Sequence, residues 1–91
     1  MILINYLLLL LLKEILNNSN DVYPYILLSQ LEIQRGNYSN ALERIKEALE
    51  IQQDNSSAWS ALGNLQFIQE NYEDSQISYE TVVSLPRGNI N

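Results

Sequence analysis

The sequence predicts an all-α fold in which antiparallel helical hairpins stack into a solenoid of about two and a half repeats. The stretch from Tyr25 to Pro86 says the same thing twice: Gly36-Asn37-Tyr38 returns 34 residues later as Glu70-Asn71-Tyr72. Shifted by that interval, Tyr25 falls on Trp59, Leu28 on Leu62, Ser29 on Gly63, Ala41 on Ser75, Ile45 on Tyr79, Ala48 on Val82 and Ile51 on Leu85. Large side chains meet large ones and small meet small. Between the polar breaks, apolar residues recur at three- and four-residue steps, the period of one helix face.

The first segment, Met1 to Leu16, contains the run Leu7 to Leu12. A transmembrane helix needs about 20 apolar residues, and here the run ends at Lys13-Glu14 and is interrupted by Asn5. A signal peptide suits the length of the run but wants basic residues before it and small residues at a cleavage site. The favoured reading is a buried helix, because Lys13-Glu14-Ile15-Leu16 resembles Lys46-Glu47-Ala48-Leu49. Residues 1–17 then form the second helix of an earlier repeat whose first helix is missing. Leucine on every side suits a helix covered from several directions.

Asn17 to Asp21 is a polar break, with Asp21 the expected N-cap and Pro24 in the first turn, where a missing N–H costs little. The second helix is expected over Val22–Arg35, ended by a left-handed Gly36. Asn37 is expected to cap a third helix from Tyr38 to about Gln52, whose charged face (Glu43, Arg44, Lys46, Glu47, Glu50) reads as solvated surface. After the break at Asp54–Ser57, a fourth helix runs from Ser56 or Ser57 to Glu70 and a fifth from Tyr72 to Leu85. Asn71 and Asp74 look like a capping box. The repeats are thus residues 22–55 and 56–86, with 87–91 a tail or the lead into another repeat.

Composition excludes several functions. There is no cysteine and no histidine, which removes disulfides, Cys/His zinc sites, a thiol nucleophile and an imidazole base. Eleven acidic residues against five basic ones argue against nucleic acid, which demands a basic footprint. No phosphate loop, nucleophile motif or metal spacing is present, so no catalytic, cofactor or metal site is expected. Asn17-Asn18-Ser19, Asn37-Tyr38-Ser39 and Asn55-Ser56-Ser57 fit the glycosylation pattern, which matters only in a secreted chain.

The small residues have a packing reason. Two helix backbones approach closely only where side chains are small, at Ser29 and Ala41 in one hairpin and Gly63 and Ser75 in the next. Tyr25 and Trp59 are expected to plug the gap to the preceding repeat. A buried Trp59 truncated to Ala would cost ~3–5 kcal/mol. Tyr38 and Tyr72 read as packing rather than as an aromatic cage.

With Tyr25, Leu28, Gly36, Tyr38, Ala41, Ile45 and Ala48, then Trp59, Leu62, Gly63, Tyr72, Tyr79 and Pro86 in place, the chain resembles the tetratricopeptide-repeat (TPR) family. Ser29 stands where glycine is usual, Ser75 where alanine is usual, and Gln52-Gln53 where a proline is usual. A narrower resemblance rests on Lys46-Glu47-Ala48-Leu49, Gln53-Asp54, Ala58-Trp59-Ser60 and Gly63-Asn64-Leu65. These are similar to the large TPR scaffold subunits of the Paf complex, which accompanies RNA polymerase II during elongation. That resemblance implies a nuclear scaffold. A generic cytosolic TPR adaptor, or a secreted or membrane-anchored protein using residues 1–12 as its address, are the alternatives.

Stacked hairpins make a curved surface whose inner face comes mainly from the first helix of each repeat. The expected partner-binding positions are Tyr23, Ile26, Gln30, Ile33 and Gln34, then Ser57, Ser60, Asn64, Phe67 and Ile68. The expected partners are protein or peptide segments and neighbouring repeats, with neither nucleic acid nor membrane. One TPR subgroup grips acidic chaperone tails with lysine, arginine and asparagine. Only Asn64 of that set is in place, and Ile26 and Ser60 stand where a basic or amide residue is wanted, so a tail clamp is not expected. Arrays below three repeats lack nearest-neighbour interface. The isolated chain is therefore expected to be marginal, or a fragment of a longer protein, and a thermal scan should not show a concentration-independent melt well above roughly 50 °C.

Overall fold

The protein is represented by a computed structural model that describes residues 2–17 and 20–86. The side chain of Leu16, residues Asn18 and Ser19 of the first polar break, and the expected tail at 87–91 lie outside the described residues. Within that span, α1 (Ile2–Asn17), α2 (Val22–Gln34), α3 (Tyr38–Ile51), α4 (Ser56–Ile68) and α5 (Tyr72–Ser84) follow one another. The helices stop one or two residues short of the expected C-terminal ends. Arg35, Gln52, Gln69 and Leu85 are capping residues rather than helical ones.

The helices pair as α2 with α3 and α4 with α5, and α4 also lies against α2 and α3. α1 packs on α2 as α3 packs on α4. The body measures 37 × 32 × 20 Å, and its thin dimension equals two helix diameters. This is the expected stack of hairpins, but α1, expected to be buried from several directions, is covered by α2 alone and leaves Leu3, Tyr6, Leu9 and Leu12 exposed.

The 34-residue period extends to how each helix begins. Both first helices are capped by a side chain: Tyr23 N–H donates to Asp21 Oδ1 at 3.1 Å, and Ala58 N–H donates to Asn55 Oδ1 at 2.9 Å. Both second helices begin differently, and this corrects two expectations. Neither Asn37 nor Asn71 makes a side-chain cap, so there is no capping box at Asn71. Each of these residues also closes the helix before it. Asn37 N–H donates to the Glu32 carbonyl and Gly36 N–H to that of Ile33; Asn71 and Glu70 do the same to Gln66 and Phe67. These are the paired bonds of a Schellman ending, with the left-handed residue at Gly36 (φ 79°) and Glu70 (φ 66°). The resulting backbone, with ψ near 70° rather than fully extended, takes the asparagine side chain off the next helix. Asn37 Nδ2 instead donates to Glu32 Oε1 at 3.1 Å.

Two apolar clusters form the core. Tyr25, Ile26, Ala48 and Ala58 make the first, with Ile15 of α1 packed on it. Ala41, Ile45, Ala61 and Leu65 make the second, with Ile33 and Tyr38 against it. Tyr25 fills its gap as expected. Trp59 does not: it is only partly buried, lies over the α3–α4 turn beside Leu49, and donates its indole N–H to the Gln53 carbonyl at 2.8 Å. Ala58 takes the buried place beside Tyr25, so truncating Trp59 removes less burial than a core tryptophan would.

The small-residue positions are closed in both hairpins, by different means. Ser29 and Ala41 are wholly buried, and the Ser29 hydroxyl donates to the Ile26 carbonyl of its own helix at 2.7 Å. In the second hairpin the bonds cross between helices. Ser75 Oγ donates to the Gly63 carbonyl at 2.8 Å, and Ser78 Oγ donates to Gln66 Oε1 at 2.7 Å. Buried hydroxyls left unpaired would each cost about 1–3 kcal/mol, so these pairings allow α5 to bury Ser75 where α3 buries Ala41, and Ser78 one turn further on. The Tyr79 ring packs against α4 at Gly63, where an added Cβ would meet its Cε2 at 2.9 Å.

Two substitutions test these features. A non-glycine left-handed residue costs roughly 1–2 kcal/mol, partly offset by glycine's greater unfolded-state freedom. Glu70→Gly is therefore expected to raise stability by about 0.5–1 kcal/mol, read as a higher urea midpoint at unchanged slope. Gly63→Ala gains about 1 kcal/mol of helix propensity but must displace the Tyr79 ring. It is expected to stabilise the Tyr79→Ala background and to fail to stabilise the wild type, a coupling that a double-mutant cycle measures.

Candidate protein interface

The first helices present their exposed sides next to one another, and a groove of about 540 Å³ runs between α2 and α4. Gln30, Ile33 and Gln34 line it from α2. Ser57, Ser60 and Asn64 line it from α4, together with Ser56 and Ala61. The spacing follows from the helix period: Gln30 and Gln34 are one turn apart on α2, as Ser57, Ser60 and Asn64 are on α4. Their amides and hydroxyls offer both donors and acceptors. None of the lining residues is charged.

Six of the ten expected positions meet in this groove and four do not. Ile26 is 5% exposed and closes into the first core cluster, so it is not free to meet a partner. It was expected on the concave face, and instead packs against Ala48 of α3 and Ala58 of α4. Tyr23 is exposed near the start of α2, outside the groove lining. Phe67 and Ile68 are exposed at the far end of α4, where the Phe67 ring meets Tyr72 edge-on at 5.3 Å between centroids. Ile33 is half-buried and serves the second core cluster as well as the groove.

Tyr79 is the lining residue that inspection of the first helices alone overlooks. It belongs to α5, a second helix, and reaches the groove because Gly63 leaves room for its ring. The signal was present in the sequence: Tyr79 stands 34 residues after the buried Ile45, in a repeat that places a glycine opposite it. Tyr79 is 43% exposed, so its ring offers the groove an aromatic face.

Charge elsewhere is used locally. Arg35 pairs with Glu32 at 3.6 Å and Arg44 with Glu47 at 3.1 Å, each across one helical turn. Such pairs are worth a few tenths of a kcal/mol and do not build a charged site. Among the described residues, no group of three or more His, Cys, Asp or Glu could hold a metal ion, and no helix is long and apolar enough to cross a membrane.

Two family models match the sequence. One, described as TPR repeat, covers residues 30–70, and the other, described as Tetratricopeptide repeat, covers residues 56–89. Together they begin within α2 and take in α3, α4 and α5, the elements whose caps, turns and small-residue contacts recur at the 34-residue interval. The chain is a tetratricopeptide-repeat protein.

Proposed function

We propose that this chain is a non-catalytic scaffold whose α2–α4 groove holds an uncharged, extended protein segment, and that it serves within the Paf complex during transcription elongation in the nucleus. Tetratricopeptide repeats suggest protein–protein interaction as the general function. The uncharged lining of the groove is the observation that carries the finer reading. Gln30, Gln34 and Asn64 have amide side chains that can pair with the peptide groups of an extended segment, and Tyr79 and Ile33 supply apolar contact. An acidic tail would find no basic partner in that lining, which speaks against the chaperone-tail clamp.

The Paf reading is supported by residues that the fold does not require. Ala48, Ala58, Gly63 and Leu65 are buried, and any stacked hairpin would demand such residues there. Lys46, Gln53, Asp54 and Asn64 are exposed, and the core constrains none of their side chains. Their agreement with the Paf scaffold subunits therefore carries more weight than that of the core positions. The seating of α1 on α2 supports its reading as part of the array rather than as an address.

Affinity purification of the full-length tagged protein is the test. Paf subunits and RNA polymerase II are expected to co-purify. Their absence from a preparation of intact scaffold would leave the cytosolic adaptor as the better reading. For the groove itself, Asn64→Ala is expected to weaken the captured partner about 10-fold at unchanged helicity, the loss of one to two hydrogen bonds. Unchanged affinity in Asn64→Ala and Gln30→Ala together would place the contact elsewhere.

A further inference from the structure

A second cavity, of about 290 Å³, opens where α1, α2 and α3 meet, and it shares no residue with the groove between α2 and α4. Its apolar wall is Leu8 and Leu12 of α1 with Leu28 of α2. Leu8 and Leu28 are buried, whereas Leu12 is 43% exposed. Its polar wall is Arg35 at the end of α2, with Asn40 and Arg44 one turn apart on α3. Glu32 completes the lining. Two of the five basic residues of a chain with net charge −6 thus face one space.

The fold does not ask for these arginines. Shifted by the 34-residue period, Glu32, Arg35, Asn40 and Arg44 fall on Gln66, Gln69, Asp74 and Ser78. In the second hairpin the two helices close on each other at this place, since Ser78 Oγ donates to Gln66 Oε1 at 2.7 Å. Arg44 and Glu32, the equivalent residues, form no such bridge in the first hairpin, and each turns aside. Arg44 meets Glu47 through Nε at 3.1 Å, and Glu32 accepts from Asn37 Nδ2 at 3.1 Å. Arg35 stands 3.6 Å from Glu32, beyond hydrogen-bond distance. Among the described residues, the terminal nitrogens of neither arginine make a hydrogen bond. The first hairpin therefore keeps open, and lines with donors, a place that the second hairpin closes.

We propose that this cavity binds an acidic–aliphatic motif of a partner protein: one aspartate or glutamate carboxylate held by Arg35, Arg44 and Asn40, with an adjoining aliphatic side chain laid on Leu12 and Leu28. A guanidinium fork matches the two oxygens of a carboxylate. Two arginines against Glu32 leave the lining one positive charge in excess, which a single carboxylate neutralises. A phosphate dianion or a nucleic-acid backbone fits less well, because Glu32 lines the cavity and Glu47 stands beside Arg44. The exposed Leu12 gives the apolar neighbour of the carboxylate a surface to cover. Ligand sites hold about 300–1,000 Å³, so a cavity at the bottom of that range suits one or two side chains of a larger partner rather than a whole small molecule.

The test uses the whole chain and a fluorescein-labelled peptide carrying one glutamate followed by leucine in a glycine–serine sequence, read by fluorescence anisotropy. Saturable binding is expected with Kd on the order of 100 µM at low salt, weakening as salt is added. Glutamine in place of the peptide's glutamate is expected to weaken it about 10-fold. Arg35→Gln and Arg44→Ser install the residues that the second hairpin carries, and each is expected to lose about 10-fold at an unchanged urea midpoint. Glu32→Gln is expected to tighten binding about 3-fold, a gain that damage to the fold does not produce. No saturation at roughly 1 mM peptide overturns the proposal, as does equal binding of the glutamine peptide or weaker binding to Glu32→Gln. Tighter binding of a phosphoserine peptide overturns it too, by assigning the arginines to phosphate. Should Arg44→Ser shift the urea midpoint, Arg44→Lys, which keeps the charge and loses the fork, decides together with Glu32→Gln. The groove between α2 and α4 is tested by Asn64 and Gln30, so failure of either proposal leaves the other readable.

Discussion

Close approach of two antiparallel helix backbones is the constraint on which this structure depends. A hairpin of two thirteen- or fourteen-residue helices is too short to be stable by helix propensity, and most of its stability must come from the face it buries. That face closes only where Ser29, Ala41, Gly63 and Ser75 keep side chains out of the way. Everything else is arranged around those contacts. The left-handed residues at 36 and 70 reverse the chain within a single Schellman ending. The asparagine that completes each ending also starts the next helix, which is why its side chain is not used as a cap.

The two hairpins meet the constraint with different chemistry. The first buries alanine and isoleucine from α3. The second buries Ser75 and Ser78 from α5 and pairs both hydroxyls with acceptors on α4. Hydrogen bonds are directional where apolar contacts are not, so they hold the rotation of α5 on α4. Gly63 takes part twice: its carbonyl accepts the Ser75 hydroxyl, and its missing side chain admits the Tyr79 ring. Tyr79 thereby joins the lining of the groove between α2 and α4. The packing of the hairpin and the character of the candidate interface thus come from the same residue.

Surface character varies along the array. Its middle presents a groove of neutral amides and hydroxyls, suited to a peptide backbone. α1 instead presents leucine beyond what α2 can cover, and apolar side chains on several sides of one helix are stable only where neighbours remove them from water. The polar groove and a leucine-lined groove between α1 and α2 lie on either side of α2, with Gln30 and Gln34 bordering both.

Helix order, hairpin pairing and the small-residue contacts were legible in the sequence. Each depends on spacing, and spacing is preserved when the chain coils. Gly36 as a left-handed ending and Asp21 as a cap were legible because each is a local matter of one or two residues. Tertiary structure decided what depends on how far one helix rotates and leans against another. It buried Ile26, expected on the concave face, in the core, left Trp59 near the surface while Ala58 took the core, and carried Tyr79 from a second helix into the groove. It also turned Asn37 and Asn71 from expected side-chain caps into the closing residues of the helices before them, because hydrogen bonds from the preceding turn had already fixed their backbones. A repeat period states which positions are equivalent. The neighbours available to cover each one differ along the array, and those are set only when the helices are in place.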